Sequence, residues 1–436
     1  YNNKELLESK SENGQVRSAG VSALRIRGPN FHVVLEEYVP GRLQVDVNPT
    51  SHLVSPPAPR QQITGDEPKA PLRGALVLGG SDENELLARL RDIAAAARAG
   101  AAPAPAPPSE EELRAPVRLA IDYGSATELA DKADKAIRAL ESDNPAMWKA
   151  FRNQGIFLGR GEPGMLAFLY TGQGSQYVNM LDSLRHDEPM VGALFDQADD
   201  VMEPILGAPL THYLFVDDDD PAAMARADAE LRQTEITQPA GLTVDIALTE
   251  LLGAYGIQPD MVMGHSLGEY GALVAAKALP FEDALEAVAG RGREMANVDV
   301  PDTGLMAAVF APIEQIEQAV ASVDDYVVIA NVNSYEQAVI GGSTPGVEAA
   351  GRLLAEAGAQ VVPLPVSHAF HTEIVASASE PLREQLARLR LSSPAIPLVA
   401  NTNGRFYPMG PNVTAEMIDI LGKQIASPVQ FVQGLK

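Results

Sequence analysis

The sequence predicts an α/β fold that carries an inserted lobe and follows a separate, smaller α+β unit. Three observations lead there. Apolar Met261-Val262-Met263 runs into Gly264-His265-Ser266-Leu267-Gly268 and then a helical stretch, Glu269 to Ala278, so a strand, a sharp turn and a helix follow one another. Residues 305 to 366 parse as strand (Leu305 to Phe310), helix (Ile313 to Val323), strand (Val327 to Val332), strand (Gln337 to Gly341), helix (Val347 to Ala357) and strand (Gln360 to Val366), the βαββαβ order of a ferredoxin-like unit. Upstream, a Pro-rich stretch from Val54 to Pro71 has linker composition and sets the front of the chain apart.

Taken in order, a polar lead ends in a short strand, Val33 to Glu37. After the linker, Gly74 to Leu78 reads as a strand and Asn84 to Ala97 as a helix, with Leu86, Leu87, Leu90 and Ile93 at helical spacing. Ala99 to Pro108 is a Pro/Ala loop. Val117 to Ile121 and Ala126 to Leu140 repeat the strand and helix, so residues 38–150 form a small α+β unit without evident chemistry. Met165 to Tyr170 is a strand running into the turn Gly172-Gln173-Gly174-Ser175-Gln176, and helical patterns cover Ser183 to Met202 and Ala240 to Tyr255. Asp217 to Asp220, four acids before Pro221, read as a solvated loop and helix start, since a metal site would need ligands converging from elsewhere. Gly159-Arg160-Gly161-Glu162-Pro163-Gly164 fits G-x-G-x-x-G as a string, but it precedes a strand and Pro163 would break the helix of a nucleotide fingerprint, so it reads as a loop. The larger α/β domain then comprises 151–303 and 367–436, with 304–366 as the inserted lobe.

Composition narrows the function. The 436 residues, 46% hydrophobic and 21% charged, fit a folded globular chain of several domains. The absence of cysteine excludes disulfides, thiolate zinc sites and a cysteine nucleophile, and it fits a cytoplasmic setting. No apolar run approaches the roughly 18 residues of a membrane span, and Tyr1 to Gln15 lacks a signal peptide's apolar segment. With 58 acidic against 33 basic residues and a net charge of -25, nucleic acid and anionic membranes are repelled, and any anionic ligand needs a local cationic surface.

The chemistry centres on Ser266. Its glycine neighbours let a strained turn pass between strand and helix, leaving the hydroxyl at a helix N-terminus that can receive developing negative charge. A serine hydroxyl needs a base. Of seven histidines, His32 and His52 lie in the lead and linker, His186 and His212 stand in polar surroundings, and His265 is bound into the turn. Ser367-His368-Ala369-Phe370-His371 directly follows the inserted lobe, so His368 or His371 is the expected base. As an H-x-x-H metal pair it would lack a third ligand.

Four motifs now stand in order: Gly172-Gln173-Gly174-Ser175-Gln176, Gly264-His265-Ser266-Leu267-Gly268-Glu269, Arg291-Gly292-Arg293-Glu294-Met295 and His368-Ala369-Phe370-His371. With them the chain resembles the acyltransferase domains of type I polyketide synthases and the free-standing malonyl-CoA:acyl-carrier-protein transacylases, from about Met165 to the end. Thr234 to Ala240, Asn333 to Gly341 and Ser427 to Gln430 also resemble family stretches. Ala19 to Glu36 is similar to the last strand of a ketosynthase, so the resemblance implies that 1–37 is a ketosynthase remnant and 38–150 the linker domain of a multidomain synthase. Ala23-Leu24-Arg25-Ile26-Arg27 departs from the Gly-rich run expected there, and Lys436 precedes the family's final strand. Gly174 to Met180 (GSQYVNM) resembles iterative synthases of the enediyne or polyunsaturated fatty acid type.

The resemblance implies an α/β-hydrolase-like large subdomain with the ferredoxin-like lobe inserted. It also implies malonyl transfer from malonyl-CoA to the phosphopantetheine thiol of an acyl carrier protein, with no permanently bound cofactor and with the ketosynthase of the same polypeptide as neighbour. In that scheme Ser266 attacks the thioester, His371 moves the proton, and the N–H groups of Leu267 and Gln173 hold the oxyanion. No carboxylate has a triad position, and Asn333 and Gln430 are candidates to orient the histidine. Arg291 would grip the malonyl carboxylate through paired hydrogen bonds. Leu267 together with His368-Ala369-Phe370-His371 accompanies malonyl, with Phe370 filling the space a methyl branch needs, and His265 and His368 line the substrate side. A serine hydrolase or thioesterase shares the elbow but not Arg291, and a silent docking domain would require a disabled Ser266 or His371.

Overall fold

The computed structural model describes residues 18–23, 31–36, 73–142, 145–162 and 164–436. The expected Pro-rich linker and His52 lie outside them, as do the rest of the lead and all of 37–72. In the lead, strands β1 (Ser18–Ala23) and β2 (Phe31–Glu36) pair antiparallel, with Val21 opposite Val33.

The described residues form a mixed α/β fold, and beyond the lead they divide into two compact units. The first is built on β3 (Gly74–Gly80), α1 (Glu83–Arg98), α2 (Glu110–Arg114), β4 (Val117–Tyr123), α3 (Ala126–Ser142), α4 (Pro145–Arg152) and β5 (Ile156–Arg160). Asp82 starts α1 by accepting the N–H groups of Asn84 and Glu85, donors that the helix itself leaves unpaired. The strands form one antiparallel sheet, β3-β4-β5. Its apolar residues meet those of α1 and α3 in a core of Leu86, Leu90, Leu119, Ile121, Leu129 and Ile156, all at most 1% exposed. β5 was not expected: Gly159 and Arg160, read as loop, end a strand that Ile156 anchors opposite Ile121. The sequence boundary at residue 150 thus falls before the last strand of this sheet.

The second unit opens with β6 (Ala167–Tyr170), α5 (Asp182–Asp187), α6 (Pro189–Leu206), α7 (Leu210–Leu214), α8 (Pro221–Leu231), α9 (Thr234–Ala254), β7 (Met261–Gly264), α10 (Gly268–Ala275) and α11 (Phe281–Ala296). The single helix expected from Ser183 to Met202 is two, because Glu188 leaves helical geometry and Pro189, lacking an N–H, starts the next helix at no hydrogen-bond cost. α9 begins six residues earlier than its apolar pattern suggested, since burial of Ile236, Thr237, Gln238 and Pro239 carries the helix through the proline. Asp220 caps α8 through the N–H groups of Ala222 and Ala223, so the acidic run does serve as a helix start.

A four-stranded antiparallel unit follows: β8 (Leu305–Phe310), α12 (Ile313–Ala321), β9 (Val327–Ser334), β10 (Gln337–Gly342), α13 (Thr344–Glu356) and β11 (Gln360–Pro363), in the spatial order β11-β8-β10-β9. Ala307, Val309, Ala338 and Ile340 alternate onto one sheet face and bury against Ile316, Val347 and Leu354 of the two helices. The chain then passes through a 3-10 turn (Glu373–Ala378), α14 (Ser379–Leu386), β12 (Leu398–Val399), α15 (Thr414–Gln424) and α16 (Phe431–Leu435). β12 returns beside β7, giving a parallel sheet β12-β7-β6. Among the described residues no helix is long and apolar enough to cross a membrane.

Candidate active site

Because β6, β7 and β12 are parallel, their C-terminal ends open on one edge of the sheet, where an α/β sheet presents its binding crevice. β6 delivers Gly172-Gln173-Gly174, β7 delivers Ser266 and β12 delivers Asn401. Ser266 sits at φ +52°, a left-handed conformation that an L residue adopts only when its surroundings enforce it. The enforcement is steric and polar together. A Cβ on Gly264 would lie 1.9 Å from the Gly268 carbonyl carbon, and one on Gly268 would lie 2.3 Å from the Tyr170 oxygen, so only glycine fits on either side of the turn. Asn401 spans the turn: its amide nitrogen donates to Gly264 O at 2.6 Å and its oxygen accepts Ser266 N–H at 2.5 Å. Gln424, at the end of α15, donates through Nε2 to Ser266 O at 2.7 Å. Both amides are wholly buried.

Ser266 Oγ lies 2.7 Å from His371 Nε2. The other ring nitrogen, Nδ1, faces the backbone carbonyls of Gln424 at 3.0 Å and Ser427 at 3.2 Å. Carbonyls only accept, so the proton resides on Nδ1 and the Nε2 lone pair accepts the serine hydroxyl. Burial above all, and then the Arg291 charge, push His371 down to about 3, so the ring is neutral throughout the physiological range. His371 itself sits at φ +60°, its N–H tied to Ile425 O at 3.1 Å.

Arg291 comes from α11 and is 1% exposed. Nη1 donates to Gln238 Oε1 at 2.9 Å, while Nη2 donates to Gln424 Oε1 at 3.1 Å and to Ser266 Oγ at 3.2 Å. Its hydrogen-bond partners are all neutral, its Nε–H has none, and burial holds its pKa below the ordinary value. The serine hydroxyl is therefore placed between a neutral imidazole that can take its proton and a guanidinium that favours the resulting alkoxide. Among the described residues the N–H groups of Leu267 and Gln173 meet no acceptor, and the two segments that carry them touch, Gly172 against the His265 carbonyl and Gly268 against the Tyr170 and Thr171 carbonyls. A pair of free N–H groups flanking a nucleophile is what a developing oxyanion requires.

The remaining expected residues divide. His265 donates through Nε2 to Asn333 Oδ1 at 2.7 Å, with burial lowering its pKa. Asn333 thus holds His265 and not His371. Gln430 meets its neighbours through its backbone, N–H to Asn401 O at 2.8 Å, so neither candidate orients the base, a job the Gln424 and Ser427 carbonyls perform. His368 is not the base either: its Nε2 donates to Val298 O at 3.1 Å and its Nδ1 accepts from Ser367 Oγ at 3.1 Å. Phe370 is buried, its ring 6.5 Å from that of His368. Among the described residues no group of three or more His, Cys, Asp or Glu is arranged to hold a metal ion.

Sequence reasoning missed Asn401, Gln424, Gln238 and the carboxyl of Glu269. Gln238 and Glu269 lay inside stretches already singled out, TEITQPA and the elbow motif; Asn401 and Gln424 had no local signal, because an amide's role depends on which backbone it meets after folding.

Comparison with known proteins agrees with this geometry. Residues 167–436 match the acyl transferase domain model. The malonyl CoA-acyl carrier protein transacylase of Bacillus subtilis is 36% identical over 278 residues, which is 62% of this chain and 81% of that protein. The spectinabilin polyketide synthase system protein NorB of Streptomyces orinoci is 31% identical over 432 residues, covering 97% of this chain but only 18% of the synthase. In the solved structure of MCAT from Streptococcus pneumoniae, 62% of this chain superposes on 84% of that one with a TM-score of 0.54 and 39% identity. A paired serine and histidine at the mouth of a parallel sheet, a family model over the whole of that sheet and relatives of transacylase and synthase type together show that the chain belongs to the acyl transferase domain family.

Proposed function

We propose that the chain transfers a malonyl group from malonyl-CoA to the phosphopantetheine thiol of an acyl carrier protein, through a malonyl ester on Ser266, within polyketide synthesis. His371 takes the proton from Ser266 as the hydroxyl attacks the thioester carbonyl. The carbon–sulfur bond breaks and the coenzyme A thiolate leaves with that proton. The carrier thiol then attacks the ester by the reverse path, and Leu267 and Gln173 hold the oxyanion in both steps, each donor worth a factor of ~10² to 10³ in rate.

The observation that carries the reading is Arg291, a buried cation with only neutral partners standing 3.2 Å from the nucleophile's oxygen. A malonyl carboxylate would pair with it directly, which Glu269, behind Gln424, does not. Its arrival also offsets the charge that holds down the basicity of His371, so malonyl improves the base as it binds, and acetyl does neither. Phe370 restricts space against a methyl-branched donor, and His265 and His368 frame the pocket.

In the same reading, the β12-β7-β6 sheet with its helices is an α/β-hydrolase-like subdomain and 304–366 a ferredoxin-like subdomain, supported by the strand order β11-β8-β10-β9. The β3-β4-β5 unit is the linker domain between a ketosynthase and the transferase, its end moved from residue 150 to beyond Arg160. The test is intact-mass spectrometry of the chain after exposure to malonyl-CoA and then to holo carrier protein. The expected sequence is a malonyl adduct that passes to the carrier; an adduct released only to water would replace the transferase by a hydrolase.

A further inference from the structure

One buried carboxyl has no part in the transfer steps above. Glu269, fully buried at the start of α10, lies directly beneath the serine turn. Its Oε1 accepts the Tyr407 hydroxyl. Its Oε2 accepts Gln424 Nε2 at 3.0 Å and the Asn401 N–H at 3.3 Å. Gln424 and Asn401 are the two residues whose side chains grip the Ser266 peptide, from its carbonyl and its N–H respectively. Gln424 also receives Arg291 on its side-chain oxygen and His371 on its backbone oxygen.

One carboxylate is therefore the shared acceptor behind the nucleophile, the base and the carboxylate grip. The two hydrogens of the Gln424 amide go to Ser266 O and Glu269 Oε2, which turns the amide oxygen toward the guanidinium. An ionised carboxylate can only accept, so it forbids the flipped amide, which would aim NH2 at a cation.

We propose that Glu269 is a positioning residue for acyl transfer, acting through Gln424 and Asn401 to fix the Ser266 turn and to aim Arg291. This rests on the reading of Ser266 as nucleophile. The titratable groups around the carboxyl are Tyr407, Tyr270 beside it on α10 and Arg291 on α11. Protonating Glu269 would turn one oxygen into a donor among donors and loosen the same contacts.

The test uses the whole chain and the variant Glu269→Gln, which keeps the reach of the side chain and removes its charge. Adduct formation is followed by mass with malonyl-CoA and acetyl-CoA across pH 6 to 8, alongside thermal unfolding. At pH 8 the variant should acylate at least about tenfold more slowly with malonyl-CoA, its preference for malonyl over acetyl should narrow, and its unfolding temperature should not fall. The wild-type rate should drop toward pH 6 while that of the variant stays flat. A folded variant with wild-type rate and preference, or a rate loss that only tracks the unfolded fraction, overturns the proposal. Should Glu269→Gln fail to fold, Tyr407→Phe decides: a slower, less selective folded variant supports the role and an unchanged one refutes it. A wild-type chain that forms no adduct would sink the Ser266 reading as well, whereas the variant results sink this inference alone.

Discussion

Replacing Arg291 by alanine should reverse the donor preference of the enzyme. The guanidinium is 1% exposed and its hydrogen-bond acceptors, Gln238, Gln424 and Ser266, are all neutral, so in the substrate-free site it is a desolvated cation with no anion in direct contact, the Glu269 carboxyl lying behind Gln424. A bound malonyl carboxylate completes the pair. With the cation gone, that carboxylate stays buried and unpaired, a loss of about 3 kcal/mol or more, which is roughly a hundredfold in adduct formation. Acetyl loses only the help that the guanidinium gives the serine alkoxide, a loss both donors share, so the malonyl-to-acetyl ratio should fall by about two orders of magnitude. The assay is the rate of adduct formation on Ser266, read by intact mass, with the two coenzyme A esters side at a time and in competition. A ratio unchanged in Arg291→Ala would refute the carboxylate grip, whatever happened to the absolute rates.

Three further outcomes follow from the same contacts. His371→Ala should abolish adduct formation, and because the ring is already neutral from about pH 3 upward, no loss of wild-type activity between pH 6 and 8 should trace to its protonation; a pH-rate profile checks this against Glu269→Gln. Asn401→Ala leaves the Ser266 N–H and the Gly264 carbonyl without their buried partner, which should lower stability by about 1–3 kcal/mol in denaturant titration and slow acylation as the turn relaxes. Glu269 is raised by burial from 4.5 to about 7, so its contribution to stability is complete below pH 4.5 and is lost as pH rises through 7; in denaturant titrations the stability of wild type relative to Glu269→Gln should therefore decline across that window, and a difference that does not change with pH would contradict the assignment.

The elements that were legible in the sequence are those whose signal is local. The βαββαβ order of 305–366 could be read because each strand alternates and each helix repeats within its own length, and the elbow could be read because glycine is the only residue its geometry admits. β5 was hidden: its five residues carry a weak pattern, and its partner strand lies more than 30 residues away. Propensity misled where tertiary burial prevailed, as at Pro239 inside α9, and the Glu188-Pro189 break went unnoticed because the apolar period continues across it.

The site divides along the same line. Ser266, Arg291 and the pair His368 and His371 were visible as reactive residue types, and resemblance then selected His371. The supports were not, since Asn401 and Gln424 stand 135 and 158 residues from the serine in sequence and act by what they meet in space. Asn333 and Gln430 were expected to orient the base because an imidazole needs an acceptor; a backbone carbonyl fills that need and leaves no trace in residue identity.

The covalent step is the most direct test of the whole account. Incubation with malonyl-CoA, followed by intact-mass and peptide mapping, should show one malonyl group on the peptide carrying Ser266, absent from Ser266→Ala and delivered to holo acyl carrier protein on its addition. A malonyl group that appears elsewhere, or persists when Ser266 is replaced, would contradict it.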